Sequence, residues 1–426
     1  MVDVTVRDGY AAASIARVIA AAGVSRPTFY DHFTDKDDCF LAALADTHER
    51  LLGDIAQDVQ DAPREEAVQA TIKALIAFAA SQPQRAQFLT SEPMAGGPRV
   101  LDARDDALNE IAQVIEGAHQ ELPREAPTPD VSPRLLLGTI HRLLARRLRQ
   151  GEGDMAGVSE DLLEWIRSYE RPTGEHRCRA LQPMGPPAPW PVLPETLLRE
   201  PPALPRGRRG SSTEVAENQR QRILFATATV AQEKGYAATT IADITERAGV
   251  DRRAFNALFA DKREAFVAIL AVGFQRTMAV TAGAFFTAAT WPERVWEAGR
   301  AFTEFLQSNP GLAHVGLVEH YAIGSGAAQG MEDSFTAFTI FLQEGLPDAP
   351  QPTPTANPLA LRAIATTIFE TCYHTSRRDG SRNMSGLLPH MTFLCLAPII
   401  GAEQANEFID GRLKAGEEPP SAKRDG

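Results

Sequence analysis

Two short stretches of this chain carry side chains suited to holding a polyanion. In the first, Ser25-Arg26-Pro27-Thr28-Phe29-Tyr30-Asp31-His32 gathers hydroxyl, guanidinium, phenol and imidazole donors, with Lys36 just beyond. In the second, Asp251-Arg252-Arg253-Ala254-Phe255-Asn256 offers two guanidiniums and a carboxamide, with Lys262 just beyond. Such groups donate to phosphate oxygens, and an arginine in the exposed first turn of a helix can pair with guanine O6 and N7 in the major groove. Covalent chemistry has no comparable signature. No nucleophile elbow, P-loop, dinucleotide fingerprint or paired metal-ligand motif is present, so neither an enzyme nor a cofactor is expected.

The elements that position these residues occur twice. Gly9 to Leu44 lies over Gly235 to Leu270 at a constant offset of 226 without a gap, with 17 of 36 positions identical. A repeat at so long a spacing means two copies of a domain, not a solenoid. In each copy a Gly-Tyr pair ends a helix, and Ser14 or Thr240 stands where the next helix needs an N-cap. A short helix follows, then the Ala22-Gly23-Val24 or Ala248-Gly249-Val250 corner, where glycine permits a sharp helix-to-helix turn. Ser25 or Asp251 caps the last short helix, which turns Phe29 and Phe33, or Phe255 and Phe259, towards a core at i, i+4 spacing. Its polar first turn is left to face outward, the arrangement of a helix-turn-helix that reads DNA.

At these residues the chain resembles the TetR family of transcriptional regulators. Gly9-Tyr10, Ser14-Ile15, Ala22-Gly23-Val24-Ser25, Phe29-Tyr30-Asp31-His32-Phe33 and Lys36 follow the family pattern almost completely. The second copy departs from it where Asn256 and Leu258 stand opposite Tyr30 and His32; leucine cannot hydrogen-bond phosphate. The resemblance implies that Tyr30, His32, Lys36 and Lys262 contact phosphate, and that Arg26, Pro27, Thr28, Arg252 and Arg253 enter the major groove. Ser14, Ser25, Thr240 and Asn256 complete the expected DNA-binding set. It further implies a helical domain behind each head that binds a small ligand and dimerises, the partner being either the other half of the same chain or a second chain.

Composition sets the organisation. The 426 residues suffice for several domains, each with its own core. No alternating strand pattern is present, so an all-α fold is expected, as two tandem units. Residues 1–44 form the first head, 45–170 a helical regulatory domain, 171–217 a Pro-rich linker, 218–265 the second head, 266–413 a second helical domain and 414–426 a disordered tail. The linker carries the basic stretch Arg206-Gly207-Arg208-Arg209, an arm of a kind that can reach a minor groove. At about 5–6 Å × √n the linker is long enough to let the halves meet.

A net charge of −12 argues against nucleic-acid binding until it is divided. Asn218 to Val267 holds eight Lys/Arg against six acids, whereas Met1 to Leu41 holds four against six. The second copy thus has the better electrostatics and the first the better motif. Cys39, Cys178, Cys372 and Cys395 form no CxxC pair, which suits a reducing cytoplasm, and no apolar run is read as a membrane span. Only Met1 to Asp8 precede Gly9, half the helix found before Gly235, so Ile15, Val18 and Phe29 are expected to be exposed. Either the natural chain starts earlier or the first unit has degenerated; its retained surface pattern favours the former. The expected function is a cytoplasmic DNA-binding regulator, a repressor released by a small ligand from double-stranded operator DNA. The alternative is a helical ligand- or partner-binding protein in which one or both heads are vestigial. Aromatics in the second helical domain, such as Phe302, Phe335 and Phe338, would suit a lipophilic ligand, but aromatics at helical spacing are more often plain core.

Overall fold

Helices supply all the regular structure among the described residues, which are 1–122, 131–151, 155, 157–170, 201–202, 212–348 and 357–414 of this computed structural model. The linker's Arg206–Arg209 stretch, Cys178 and the tail beyond Lys414 lie outside them. The structure divides into two units. Met1–Cys178, Ala349–Glu370 and Ala397–Gln404 make the first; Arg179–Asp348, Thr371–Leu396 and Ala405–Gly426 make the second.

In the first unit α1 (Val2–Asp8), α2 (Ile15–Ala22) and α3 (Arg26–His32) form the head, and α4 (Lys36–Asp61) leads away from it. α5 (Ala67–Ser81), α6 (Pro83–Thr90), α7 (Pro98–Gln120), α8 (Pro133–Arg149) and α9 (Val158–Arg167) follow. The second half repeats the plan with α10 (Ser212–Ala238), α11 (Ile241–Ala248), α12 (Arg252–Leu258) and α13 (Lys262–Phe285). It continues through α14 (Trp291–Ser308), α15 (Pro310–His314), α16 (His320–Ile323), α17 (Ser325–Gln343), α18 (Pro358–Asp379), α19 (Leu388–Ile400) and α20 (Ala402–Lys414).

Three local features have physical reasons. α6 spans only eight residues from its Pro83 start, so its apolar pattern is too short to show a period. The segment from Gly311 to Ile323 is not one α-helix, because a π-helical turn at Val315–Glu319 separates α15 from α16. α17 begins at Ser325 despite the low helix propensity of Gly326 and Gly330.

The first head is better sealed than its short leading helix suggests. Val4 is fully buried and packs with Ala13, Val18, Phe29 and Cys39, with Met1 and Ile15 at the edge. Val18 and Phe29 are only 5% and 4% exposed, which corrects the expectation that they lie open. From α1, Val4 and Thr5 are both fully buried, so this short helix contributes to the head's core. The second head draws Ile223, Leu224 and Ala231 from the longer α10 onto Ile244, Phe255 and Phe266.

α13 is, among the described residues, long and apolar enough to cross a membrane, which amends the sequence reading. Its apolar residues have partners within the second unit: Phe266 and Ile269 belong to the head's core, and Phe285 packs on Phe286 and Phe341. Trp291 is fully buried nearby, its indole N–H donating to the Phe341 carbonyl at 2.9 Å.

An ionic cluster lies buried in the first unit. The Glu370 carboxylate, 0% exposed, accepts from Arg142 Nε at 2.6 Å, from Arg134 Nη1 at 3.4 Å and from Arg104 Nη1 and Nη2 at 3.4 Å. Asp105 Oδ1 accepts from Arg104 and Arg134, each at 2.8 Å. Burial alone would push the Glu370 carboxyl up, but the Arg104, Arg142 and Arg134 guanidiniums outweigh it and hold it well below the usual carboxylate range. Gly138 lets Glu370 approach, since a Cβ there would lie 2.5 Å from Oε1.

Candidate nucleic-acid interface

Each head is framed by backbone geometry that only particular residues tolerate. Gly23 and Gly249 sit at φ 66° and 60°, the left-handed conformation that closes α2 and α11 and lets α3 and α12 depart at once. Ser14 Oγ accepts from the Arg17 N–H, and Thr240 forms a full capping box with Asp243. Ser25 Oγ accepts from the Thr28 N–H at 3.2 Å, and Asp251 Oδ1 from the Ala254 N–H at 2.7 Å. Ser25 and Asp251 thus start α3 and α12, and Ser14 and Thr240 start the helices α2 and α11 before them. The Asp243 carboxyl is lowered to about 2, chiefly by its hydrogen bond from Lys234 and then by those from Thr240.

The outward face matches the expected one. Arg26, Pro27, Thr28, Tyr30 and His32 are all exposed on α3, Tyr30 by 48%. The Arg26 guanidinium rests 5.8 Å from the Tyr30 ring centroid, and the Thr28 and Ser25 hydroxyls share a 2.8 Å hydrogen bond. On α12, Arg252, Arg253 and Asn256 are exposed, while Leu258 turns inward against the head's core. Both faces therefore present an open first turn, one with Arg-Pro-Thr and the other with Arg-Arg-Ala.

Lys36 and Lys262 are placed differently from a solvated cation. The Lys36 ammonium donates to the Tyr10 carbonyl at 3.0 Å and lies 4.1 Å from that ring's centroid. Lys262 donates to the carbonyls of Tyr236, Thr239 and Ala237, at 2.8, 2.9 and 3.3 Å. Asp35 and Asp261 cap the helices these lysines begin, which weakens the attraction of those helix ends for phosphate. Burial lowers the pKa of both ammonium groups. In this state each lysine braces its head.

Sequence reasoning missed the groups that tie the heads to the rest of each unit. Glu92 Oε2 accepts from the Tyr10 N–H and Glu319 Oε2 from the Tyr236 N–H, both at 2.9 Å. A signal for them exists. Ser81, Pro83, Ala86 and Glu92 recur as Ser308, Pro310, Ala313 and Glu319, at an offset of 227, one residue out of step with the heads. Burial pushes the Glu92 carboxyl up to about 7, against the Tyr10 N–H and Arg149, which pull it down.

A pH dependence follows from that raised value. The folded protein keeps a proton on Glu92 that the unfolded chain gives up near 4.5, so this contribution is present at low pH and lost as pH rises through about 7. Glu92→Gln keeps an acceptor and removes the titration. Its stability relative to wild type should improve by about 2–3 kcal/mol between pH 5 and pH 8. Urea unfolding at the two pH values measures this, and an unchanged difference would mean that Glu92 ionises normally.

The family comparison agrees with the duplicated heads. The model of the bacterial regulatory proteins of the tetR family matches residues 3–43 and again residues 223–269. A solved structure described as that of a TetR-family transcriptional regulator from Syntrophomonas wolfei superposes with a TM-score of 0.33 at 18% identity, covering 49% of this chain and 99% of that one. No curated protein matches the chain.

Proposed function

We propose, for a chain that belongs to the TetR family of bacterial regulatory proteins through both of its heads, a cytoplasmic repressor that seats two unlike reading helices on one operator. The observation that carries this reading is the pair of exposed first turns, Arg26-Pro27-Thr28 and Arg252-Arg253, each on a capped helix behind a sealed core. Arg26, Arg252 and Arg253 take the base edges. Tyr30, His32 and Asn256 take flanking phosphates, joined by Lys36 and Lys262 if contact with DNA draws them from their carbonyls. Because the two helices differ in sequence, the operator is asymmetric.

The heads are paired within one chain in this proposal. Support comes from the make-up of the first unit, which includes Ala349–Glu370 and Ala397–Gln404, segments that follow the second head in sequence. A small ligand taken up by the helical domains releases the DNA by shifting the heads from a competent to an incompetent spacing.

DNA selected from a random pool by the full-length protein, then titrated at two salt concentrations, tests the reading. The expected result is an asymmetric site bound by a 46.3 kDa monomer, with affinity falling steeply as salt rises. A palindromic site bound by two chains would replace the paired-head arrangement with a homodimer of four heads. Failure to enrich any sequence would favour the ligand- or partner-binding alternative.

A further inference from the structure

The joint between head and regulatory domain is built twice from the same parts. Gly9 at φ 81° and Gly235 at φ 74° each turn the chain so that the following tyrosine can send its N–H to a glutamate outside the head. The same tyrosine accepts at its carbonyl from the lysine that opens the next long helix. Its ring packs edge-on against Phe40 or Phe266, with centroids 4.8 Å apart in both copies. Tyr10 and Tyr236 are therefore single residues at which a head, its long helix and a regulatory carboxylate meet. A buried N–H needs an acceptor, and at this point the glutamate supplies it.

The glutamates stand on turns that are not α-helical. Glu92 opens the 3-10 turn Glu92–Ala95, and Glu319 closes the π-helical turn Val315–Glu319. Turns of these kinds differ from an α-helix by one residue in hydrogen-bond register, so a modest rearrangement of the helix displaces the carboxylate. We propose that Glu92 and Glu319 are positioning residues through which each regulatory domain sets the pose of its head, and that withdrawing the carboxylate frees the head to move. The proposal deepens the DNA-reading function above and rests on it for its consequence.

The two joints are wired differently around this common core. In the first unit the Tyr10 hydroxyl also donates to Asp37 at 2.5 Å, and Arg149, which donates to Ser91 Oγ at 3.0 Å, lies on the Glu92 side. In the second unit the position matching Asp37 is Arg263, whose Nε donates to the Ile323 carbonyl at 3.3 Å and adds a second tie to the regulatory domain. His314 Nε2 lies 3.1 Å from Glu319 Oε1. Loss of the glutamate should thus loosen the first head more than the second.

Hydrogen exchange of the full chain, read by peptide, tests the joint without reference to DNA. In Glu92→Ala the amides of residues 9–36 should exchange about tenfold faster or more, while peptides from α7 and α8 stay at wild-type rates. Glu92→Gln, which still accepts the bond, should stay near wild type. Glu319→Ala should raise exchange over residues 235–262 by a smaller factor, and it decides the matter if Glu92→Ala loses its helical signal. Wild-type exchange in the alanine variants, or equal loosening in the glutamine variants, overturns the proposal. On DNA selected by the wild-type protein, the alanine variants should also lose discrimination between half-site spacings one or two base pairs apart. If the wild-type protein selects no DNA, the DNA-reading function fails while the exchange result still decides the joint.

Discussion

Glu370→Ala is expected to destabilise the first unit by about 3–5 kcal/mol, the cost of leaving buried charges without their counter-charge. Three guanidiniums surround two carboxylates in the native cluster, and the substitution leaves Asp105 alone against Arg104, Arg134 and Arg142. Arg142 also stacks over Phe369, 4.7 Å from the ring centroid, so it is not free to swing into water. His141 cannot compensate. Burial first, then the Arg104 and Arg134 charges, lowers its pKa to about 3, so it stays neutral. For a unit of this size the loss corresponds to a fall of about 10 °C in its melting temperature.

The pH behaviour provides an independent check on the same cluster. The folded carboxyl of Glu370 is depressed, so its stabilisation is present above the unfolded value near 4.5 and is lost as pH falls below it. Glu370→Gln should therefore cost several kcal/mol at pH 7 and progressively less only as pH falls below about 4.5 towards the depressed folded value. Urea unfolding of both variants followed by circular dichroism measures these differences. A loss under about 1 kcal/mol for Glu370→Ala would mean that water enters and hydrates the arginines. Glu370 is a residue of the second repeat by sequence and of the first unit by location, so its removal also tests whether that chain segment is essential to the first unit.

The heads were legible because everything that defines them is local. Ser14, Gly23 and Ser25 act on neighbours within four residues, through caps and a left-handed corner, and Phe29 shows by its i, i+4 spacing with Phe33; such signals survive in a linear text. The Glu370 cluster was not legible, since Arg142, the nearest in sequence of the three arginines that hold Glu370, is 228 residues away, and Arg134, Arg142 and Arg104 read singly as solvated helix charges. Glu92 and Glu319 escaped for a different reason. A lone carboxylate carries no motif, and the one-residue change of offset takes it out of the alignment that revealed the heads. Lys36 shows the converse limit: its type was right for phosphate, yet a carbonyl within reach and an aromatic face turned it inward. The outward pattern of Tyr30 and Arg252 follows from the burial of Phe29 and Phe255, which the i, i+4 spacing already dictates.

Reversing the charge of the second head, as Arg252→Glu with Arg253→Glu, is expected to lower affinity for the selected operator by about 10²–10⁴-fold, because two linked heads bind with an avidity that one lacks. The slope of log affinity against log salt should shrink by about two, one for each guanidinium that no longer displaces a counterion. Arg26→Ala with Tyr30→Ala, the matching change in the first head, should cost affinity to a similar degree but alter the salt slope by only about one, since a single cation is removed. The contrast is expected because the first head carries four bases against six acids and the second eight against six, so charge would carry more of the second head's binding and hydrogen bonds more of the first's. All four substituted residues are exposed, so circular dichroism and melting should match wild type. Salt titrations by fluorescence anisotropy on the intact operator and on each half-site separate the cases. If Arg26→Ala with Tyr30→Ala changes neither affinity nor half-site preference, the first head does not read DNA, and the second must pair with a second chain to gain its affinity.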